Sequence, residues 1–203
     1  MYIPKHFESP NRAATLEVMR DYPLATLIST AADGAPLATP LPVAVSTLED
    51  EVTLHFHVAR ANPHAKLLAA NAKTMIAFLG PHAYMSPRVY ADLQRVPTWN
   101  YIAVHAYGEL QAVEGDAAKD AFLKFLIAIH EPEYAAQWRG LDEKYQTMML
   151  GAIDAFTLRV TRLESKFKIN QHRVEAREKM LSMYADGNEN EQALGQWLGR
   201  LST

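Results

Sequence analysis

The chain of 203 residues contains no cysteine. That excludes disulfides, thiolate metal centres and a cysteine nucleophile. A large excess of either charge is absent as well, with 20 Lys and Arg against 23 Asp and Glu and a formal net charge of −3 at pH 7. No global positive field recruits nucleic acid, so direct nucleic-acid binding is not expected. No apolar run approaches the ~20 residues that cross a bilayer. The opening MYIPKHFESP lacks the apolar core of a signal peptide. A soluble, cytoplasmic protein is the expectation. Neither a GxGxxG dinucleotide fingerprint nor a phosphate-binding P-loop occurs. The eight histidines show no HxxxH spacing, so no metal site is expected. No Ser/His/Asp constellation can be argued from spacing.

What is present points to a folded α+β domain. Hydrophobic residues make up 49% of the chain, enough for a sizeable core. Asn11 is placed to cap a helix to Tyr22, with Leu16, Met19 and Ala13 on its apolar side. Residues 24–30 read as a buried strand, and Asp33-Gly34 as a hairpin turn. Residues 36–46 form the return strand, and Pro36, Pro40 and Pro42 send it to a sheet edge. A turn follows at 47–51. Residues 52–59 alternate, with Val52, Leu54, Phe56 and Val58 on one face and His55 and His57 on the other. Asn62-Pro63 opens a helix to about Asn71, with Leu67 and Leu68 inward. Residues 74–79 form a strand that Gly80-Pro81 breaks. Pro97 opens another strand running to about Val113. A helix from Asp116 turns Phe122, Phe125, Leu126 and Ile129 to one side. A second helical segment lies around 145–150, and the last long strand covers 152–163. Helices at 175–184 and 191–201 flank Asp186-Gly187-Asn188. This order is not a series of βα units, so a largely antiparallel barrel with peripheral helices is expected.

Residues 80–108, GPHAYMSPRVYADLQRVPTWNYIAVHAYG, concentrate flat aromatic faces and polar edges. Tyr84, Tyr90, Trp99, Tyr101 and Tyr107 supply the faces. His82, Ser86, Arg88, Asn100 and His105 supply hydrogen-bonding groups. That mixture suits a planar, polar-edged, anionic small molecule.

The blocks MYIPKHF, HVARANP, GPHAYMSP, VPTWNYIAVHAYG and RLESKFKINQHR, in this order and spacing, resemble the PaiB-type family, described as FMN-binding transcriptional regulators. The resemblance implies a split β-barrel of the FMN-binding and pyridoxamine-phosphate-oxidase-like type. Residues 1–165 would form the barrel with inserted helices, and 166–203 a helical extension of the same domain. It also implies FMN as cofactor and a homodimer with flavin grooves at the interface. The chain departs from the family pattern at Arg88-Val89-Tyr90, and at Phe167, where tryptophan is common.

The FMN phosphate needs cations or free N–H groups. Arg60, Asn62, Lys66 and His57 are the candidates, around a helix N-terminus. The plainer reading of that segment is a capped helix beside a solvated arginine. For the isoalloxazine ring the candidates are Ser86, Arg88, Trp99 and Asn100, with Thr98 beside them. Alternation puts Trp99 and Tyr101 on the face opposite Asn100, so one of Trp99 and Asn100 is expected to be structural. By similarity to the related oxidases, Lys168, Gln171 and Arg173 would complete the groove from the partner subunit, with Phe167 as the aromatic. A small basic patch for DNA phosphates and a solvated helix start are the alternatives, and interleaved acids favour the latter. Three functions follow: an FMN-dependent oxidoreductase or redox-linked regulator, a negative transcriptional regulator acting through DNA or a partner protein, and a flavin-free binding module.

Overall fold

A computed structural model describes residues 1–70 and 72–201. Among them are seven β-strands: β1 (Leu24–Thr30), β2 (Pro36–Pro42), β3 (Ala44–Leu48), β4 (Glu51–Ala59), β5 (Thr74–Met85), β6 (Thr98–Val113) and β7 (Ile153–Lys168). Seven α-helices accompany them: α1 (Arg12–Asp21), α2 (Pro63–Ala69), α3 (Asp116–His130), α4 (Tyr134–Gly140), α5 (Glu143–Gly151), α6 (Arg177–Ala185) and α7 (Glu189–Arg200). The strands form one antiparallel sheet in the order β2-β1-β5-β6-β7-β4-β3. Mainly β with peripheral helices is therefore the observed class, as the element order implied. Among the described residues no helix is long and apolar enough to cross a membrane.

Contacts divide the chain into two compact units. One takes residues 1–22, 78–105 and the described residues from 164 on. The other takes 23–77 and 106–163.

In the second unit, Gly34 adopts φ +86°, and the Ala35 N–H donates to Asp33 Oδ1 at 3.0 Å, closing the β1–β2 hairpin. The proline-bearing β2 lies at the sheet edge, where its missing donors cost no ladder bonds. The expected return strand 36–46 is in fact two strands. Val43 interrupts it, donating to the Pro23 carbonyl, and β3 turns away to pair with β4 at the opposite edge. The following turn is tighter than the expected 47–51: β3 runs to Leu48, and Glu49, at φ +51°, carries the reversal. On β4 the expected alternation holds, with Val52, Leu54, Phe56 and Val58 buried. Phe56 pairs in register with Phe156 of β7, and the two rings stack 6.0 Å apart. Each such buried ring contributes about 2–3 kcal/mol. Asn62 caps α2 with Pro63 in its first turn, accepting from the His64 N–H at 2.9 Å. The expected end of this helix, Asn71, lies outside the described residues. Of its expected inward leucines Leu68 is buried and Leu67 only half-buried. α3 buries Phe122, while Ile129 is exposed. The helical segment expected near 145–150 is found as α5, and a further short helix, α4, precedes it. Gly108 lets β6 approach β7 closely: a Cβ there would overlap the Arg159 carbonyl oxygen and lie 2.6 Å from Leu158 Cδ2.

In the first unit, Asn11 caps α1 by accepting from the Ala14 N–H at 2.8 Å. The buried face of α1 is Ala14, Thr15, Leu16, Val18 and Met19, and Ala13 is exposed rather than part of it. Gly80-Pro81 does not break the chain as expected. β5 runs through it, and the buried positions change phase from Ile76 and Phe78 to Ala83 and Met85. Glycine suits this point because a Cβ would sit 3.1 Å from Val18 Cγ1. β7 runs five residues beyond the expected end at 163, to Lys168, where Glu8 bridges to Lys166. Asn188 and Glu191 form a capping box at the start of α7.

Candidate functional site

The phosphate candidates lie in the second unit. Arg60 follows β4, its backbone N–H held by the Ala152 carbonyl at 2.9 Å. Its side chain is 55% exposed, with Nε 3.2 Å from Asp154 Oδ1. Lys119 Nζ reaches the same carboxylate at 3.7 Å and donates to the Ile153 carbonyl at 2.9 Å. Lys66 is exposed on α2. Asn62 is occupied by its cap, as the plainer reading had it. His64, fully buried, bonds Thr39 Oγ1 through Nδ1 at 2.9 Å, and its Nε2 has no partner. Arg60 and Lys66 are both exposed cations of the kind a phosphate needs, and the Asp154 carboxylate beside Arg60 is shared with Lys119.

His57 is placed elsewhere. Its ring stands edge-on to Phe122, 6.4 Å between centroids, and lines a cavity with residues of α3 and α4 that Arg60 does not line. Burial pushes its pKa below the ordinary imidazole range. The neighbouring His55 bonds Ser46 Oγ at 2.7 Å and packs 4.6 Å from Phe125. Both faces of β4 are therefore covered, one by the sheet core and one by α3.

The ring candidates lie in the first unit. Trp99 is 55% exposed, with Tyr84 at 6.4 Å in T-shaped contact and His82 at 6.3 Å. Asn100, one step along β6, is fully buried; its Nδ2 donates to the Tyr184 hydroxyl at 2.8 Å, while its Oδ1 has no partner. Tyr184 donates in turn to Met85 Sδ at 3.4 Å, and burial raises its pKa to about 12. Alternation thus separates Trp99 and Asn100 as expected, and Asn100 is the structural one. Ser86 caps the 3-10 turn Pro87–Val89, accepting from the Arg88 N–H at 3.3 Å, and the Arg88 side chain is exposed.

The C-terminal candidates are divided. Lys168 Nζ donates to the Trp99 carbonyl at 2.7 Å and to Thr98 Oγ1, beside the Tyr101 ring. Desolvation pushes its pKa down, Lys166 adds to this and Tyr101 opposes it. Gln171 is spent on the backbone, donating to the Phe167 carbonyl at 2.7 Å and accepting from the Ile169 N–H. Arg173 is half-buried, close enough to lower the Tyr90 pKa, although burial, the larger effect, raises it. Phe167 is fully buried against Trp197, 5.3 Å between rings, so it is not available to reach a second subunit.

The structure therefore joins Lys168 to Thr98 and Trp99, and Arg60 to Asp154. It withdraws Asn100, Asn62 and Gln171 into structural bonds. Sequence reasoning missed Asp154 and Lys119, whose approach to Arg60 depends on the β4–β7 register, in which Val58 faces Asp154. It also missed the cavity, whose helical wall it read only as an apolar stripe.

Residues 1–162 match the family described as "Putative FMN-binding domain". The chain belongs to this family. It is 31% identical over 177 residues to the Bacillus subtilis "Protease synthase and sporulation protein PAI 2", covering 86% of this chain and 84% of that protein. The PaiB-type resemblance read from the sequence is thereby borne out. Among solved structures, the FAD and heme binding protein from Mycobacterium smegmatis is similar with a TM-score of 0.60 at 21% identity, covering 79% of this chain and 72% of that one. The flavocytochrome Anf3 from Azotobacter vinelandii has a TM-score of 0.63 at 15% identity, covering 82% and 72%. These likenesses concern the fold, which is of the split β-barrel type.

Proposed function

We propose that the chain binds FMN and works as a flavin-linked oxidoreductase or redox-linked regulator. Family membership over residues 1–162 carries this reading. The accessible guanidinium of Arg60 supports it for the phosphate. The exposed Trp99 face, with the ammonium of Lys168 on its backbone carbonyl, supports it for the ring. Bound FMN supplies electron and hydride transfer. The protein's own part is to hold the phosphate and to offer Trp99 as an apolar surface. Lys168 is the cation suited to an electron-rich ring edge. Arg173 and Arg88 are the remaining cations of that unit proposed to approach the flavin. Ser86, held in its cap, would act through the geometry of the turn. We also assign a homodimer and a cytoplasmic location to this protein. Sedimentation that gives a monomer mass with flavin added would refute the dimer.

Arg60→Ala tests the phosphate assignment. A charge-assisted hydrogen bond to phosphate is worth about 1.5–3 kcal/mol, and freeing Asp154 from an exposed pair changes little. FMN affinity should fall about tenfold or more, while riboflavin affinity, which lacks the phosphate contribution, should be unchanged. Equal losses for both ligands would refute it.

A second reading, a negative regulator acting through DNA or a partner protein, rests on the PaiB-type resemblance. A net charge of −3 points away from direct DNA contact and towards a partner or small-molecule signal. A salt-dependent mobility shift with promoter DNA would reverse that preference.

A further inference from the structure

The cavity beside His57 has about 240 Å³ of space between β4 and the α3–α4 helices. We propose that it is a binding site for one uncharged aromatic ring carrying an O–H or N–H donor, a phenol being the simplest, with His57 as the acceptor. The inference goes beyond the flavin reading and does not depend on it.

Size sets the first limit. A cavity of about 150 Å³ accepts benzene, and drug-sized ligands fill roughly 300–1,000 Å³. The space beside His57 therefore suits a single substituted ring and not a three-ring flavin. Its wall sets the second limit. Leu123, Leu126 and Ile127 of α3 are half-buried and apolar, and face the ligand space with Pro42. The third limit comes from His57 itself. It is half-buried, lines the cavity and packs edge-on to Phe122, so its ring faces the ligand space. Its neighbour His55, on the same face of β4, is satisfied by Ser46. His57 is the imidazole on the strand side of a cavity whose α3 side is apolar, with His130 and Tyr134 farther along its lining. A ring nitrogen there can accept from a ligand donor. Burial keeps it neutral, which leaves one nitrogen able to accept. Glu131, exposed at the rim, disfavours an anionic ligand.

The test is 19F NMR on the full chain with 4-fluorophenol, fluorobenzene and 4-fluorobenzoate, each to about 10 mM, a range that reaches millimolar affinities. Fluorophenol should bind about fivefold tighter than fluorobenzene, the worth of one neutral hydrogen bond, and fluorobenzoate should bind weakest. His57→Phe should abolish the preference for the phenol, and Leu126→Trp, which fills the space, should abolish binding of both neutral probes. Imidazole 15N shifts of wild-type His57 on adding fluorophenol give a readout independent of either variant's folding. Excess FMN should leave the phenol bound. Absence of binding, equal affinity of the phenol and fluorobenzene, or displacement by FMN would each overturn the proposal, the last by making the cavity part of the flavin site.

Discussion

Gly108→Ala should be among the most damaging single-methyl changes in this chain. Glycine stands here because β6 runs against the β7 backbone at Leu158 and Arg159. The added Cβ would overlap the Arg159 carbonyl oxygen and sit 2.8 Å from its carbonyl carbon. A flexible side-chain tip could swing aside, but these are ladder atoms, and β7 at this point is also paired to β4 through Thr53↔Arg159. Overpacking a core costs about 1–3 kcal/mol when side chains can yield, so about 3 kcal/mol is expected where backbone must. For a chain of this size that lowers the melting temperature by roughly 6–12 °C. Gly199→Ala is the matched control: it lies in α7 with nothing within 4 Å of its Cβ position. It should stabilise by a few tenths to about 1 kcal/mol, because alanine loses less backbone entropy in a helix. Urea unfolding followed by far-UV circular dichroism compares the two. If Gly108→Ala lies within about 1 kcal/mol of wild type, well below the typical overpacking cost, the described β6–β7 approach is wrong.

Tyr184→Phe leaves the buried Asn100 amide without its acceptor and should cost about 1–3 kcal/mol. Asn100→Leu in the same background should recover part of that, because both polar partners are then gone; additive losses in a double-mutant cycle would contradict the pairing. Burial pushes the imidazoles of His55, His57, His64, His105 and His172 below 6.5. As pH falls through 6.5 the unfolded chain takes up protons before the folded one, so acid favours unfolding and stability rises with pH across this window. A urea midpoint that is flat or rises on acidification from pH 7 to about 5 would contradict these directions.

The parts of the fold that were legible in the sequence rest on local chemistry. Asp33-Gly34, Asn11 and Asn62-Pro63 act through their own neighbours, and each is found where its side chain predicts. The alternation on β4 shows because one face is buried against the sheet. What escaped depends on distant partners. Gly80-Pro81 reads as a stop, yet pairing carries β5 through it and the pair only shifts the buried phase. The last strand reads as ending at 163, before the basic cluster that starts at Lys166, but pairing carries β7 on to Lys168. The site shows the same division. Parity placed Trp99 and Asn100 on opposite faces, whereas nothing local showed that Gln171 would be consumed by the Phe167 carbonyl. Nor could spacing reveal that His57 meets α3, 65 positions away at Phe122.

Titration of the purified 203-residue chain with FMN, followed by flavin absorbance and fluorescence, tests the central claim most directly. Saturable binding at or below tens of micromolar, about −6 kcal/mol or tighter, with a perturbed flavin spectrum and weaker binding of riboflavin, is the predicted result. No binding in that range would contradict the account.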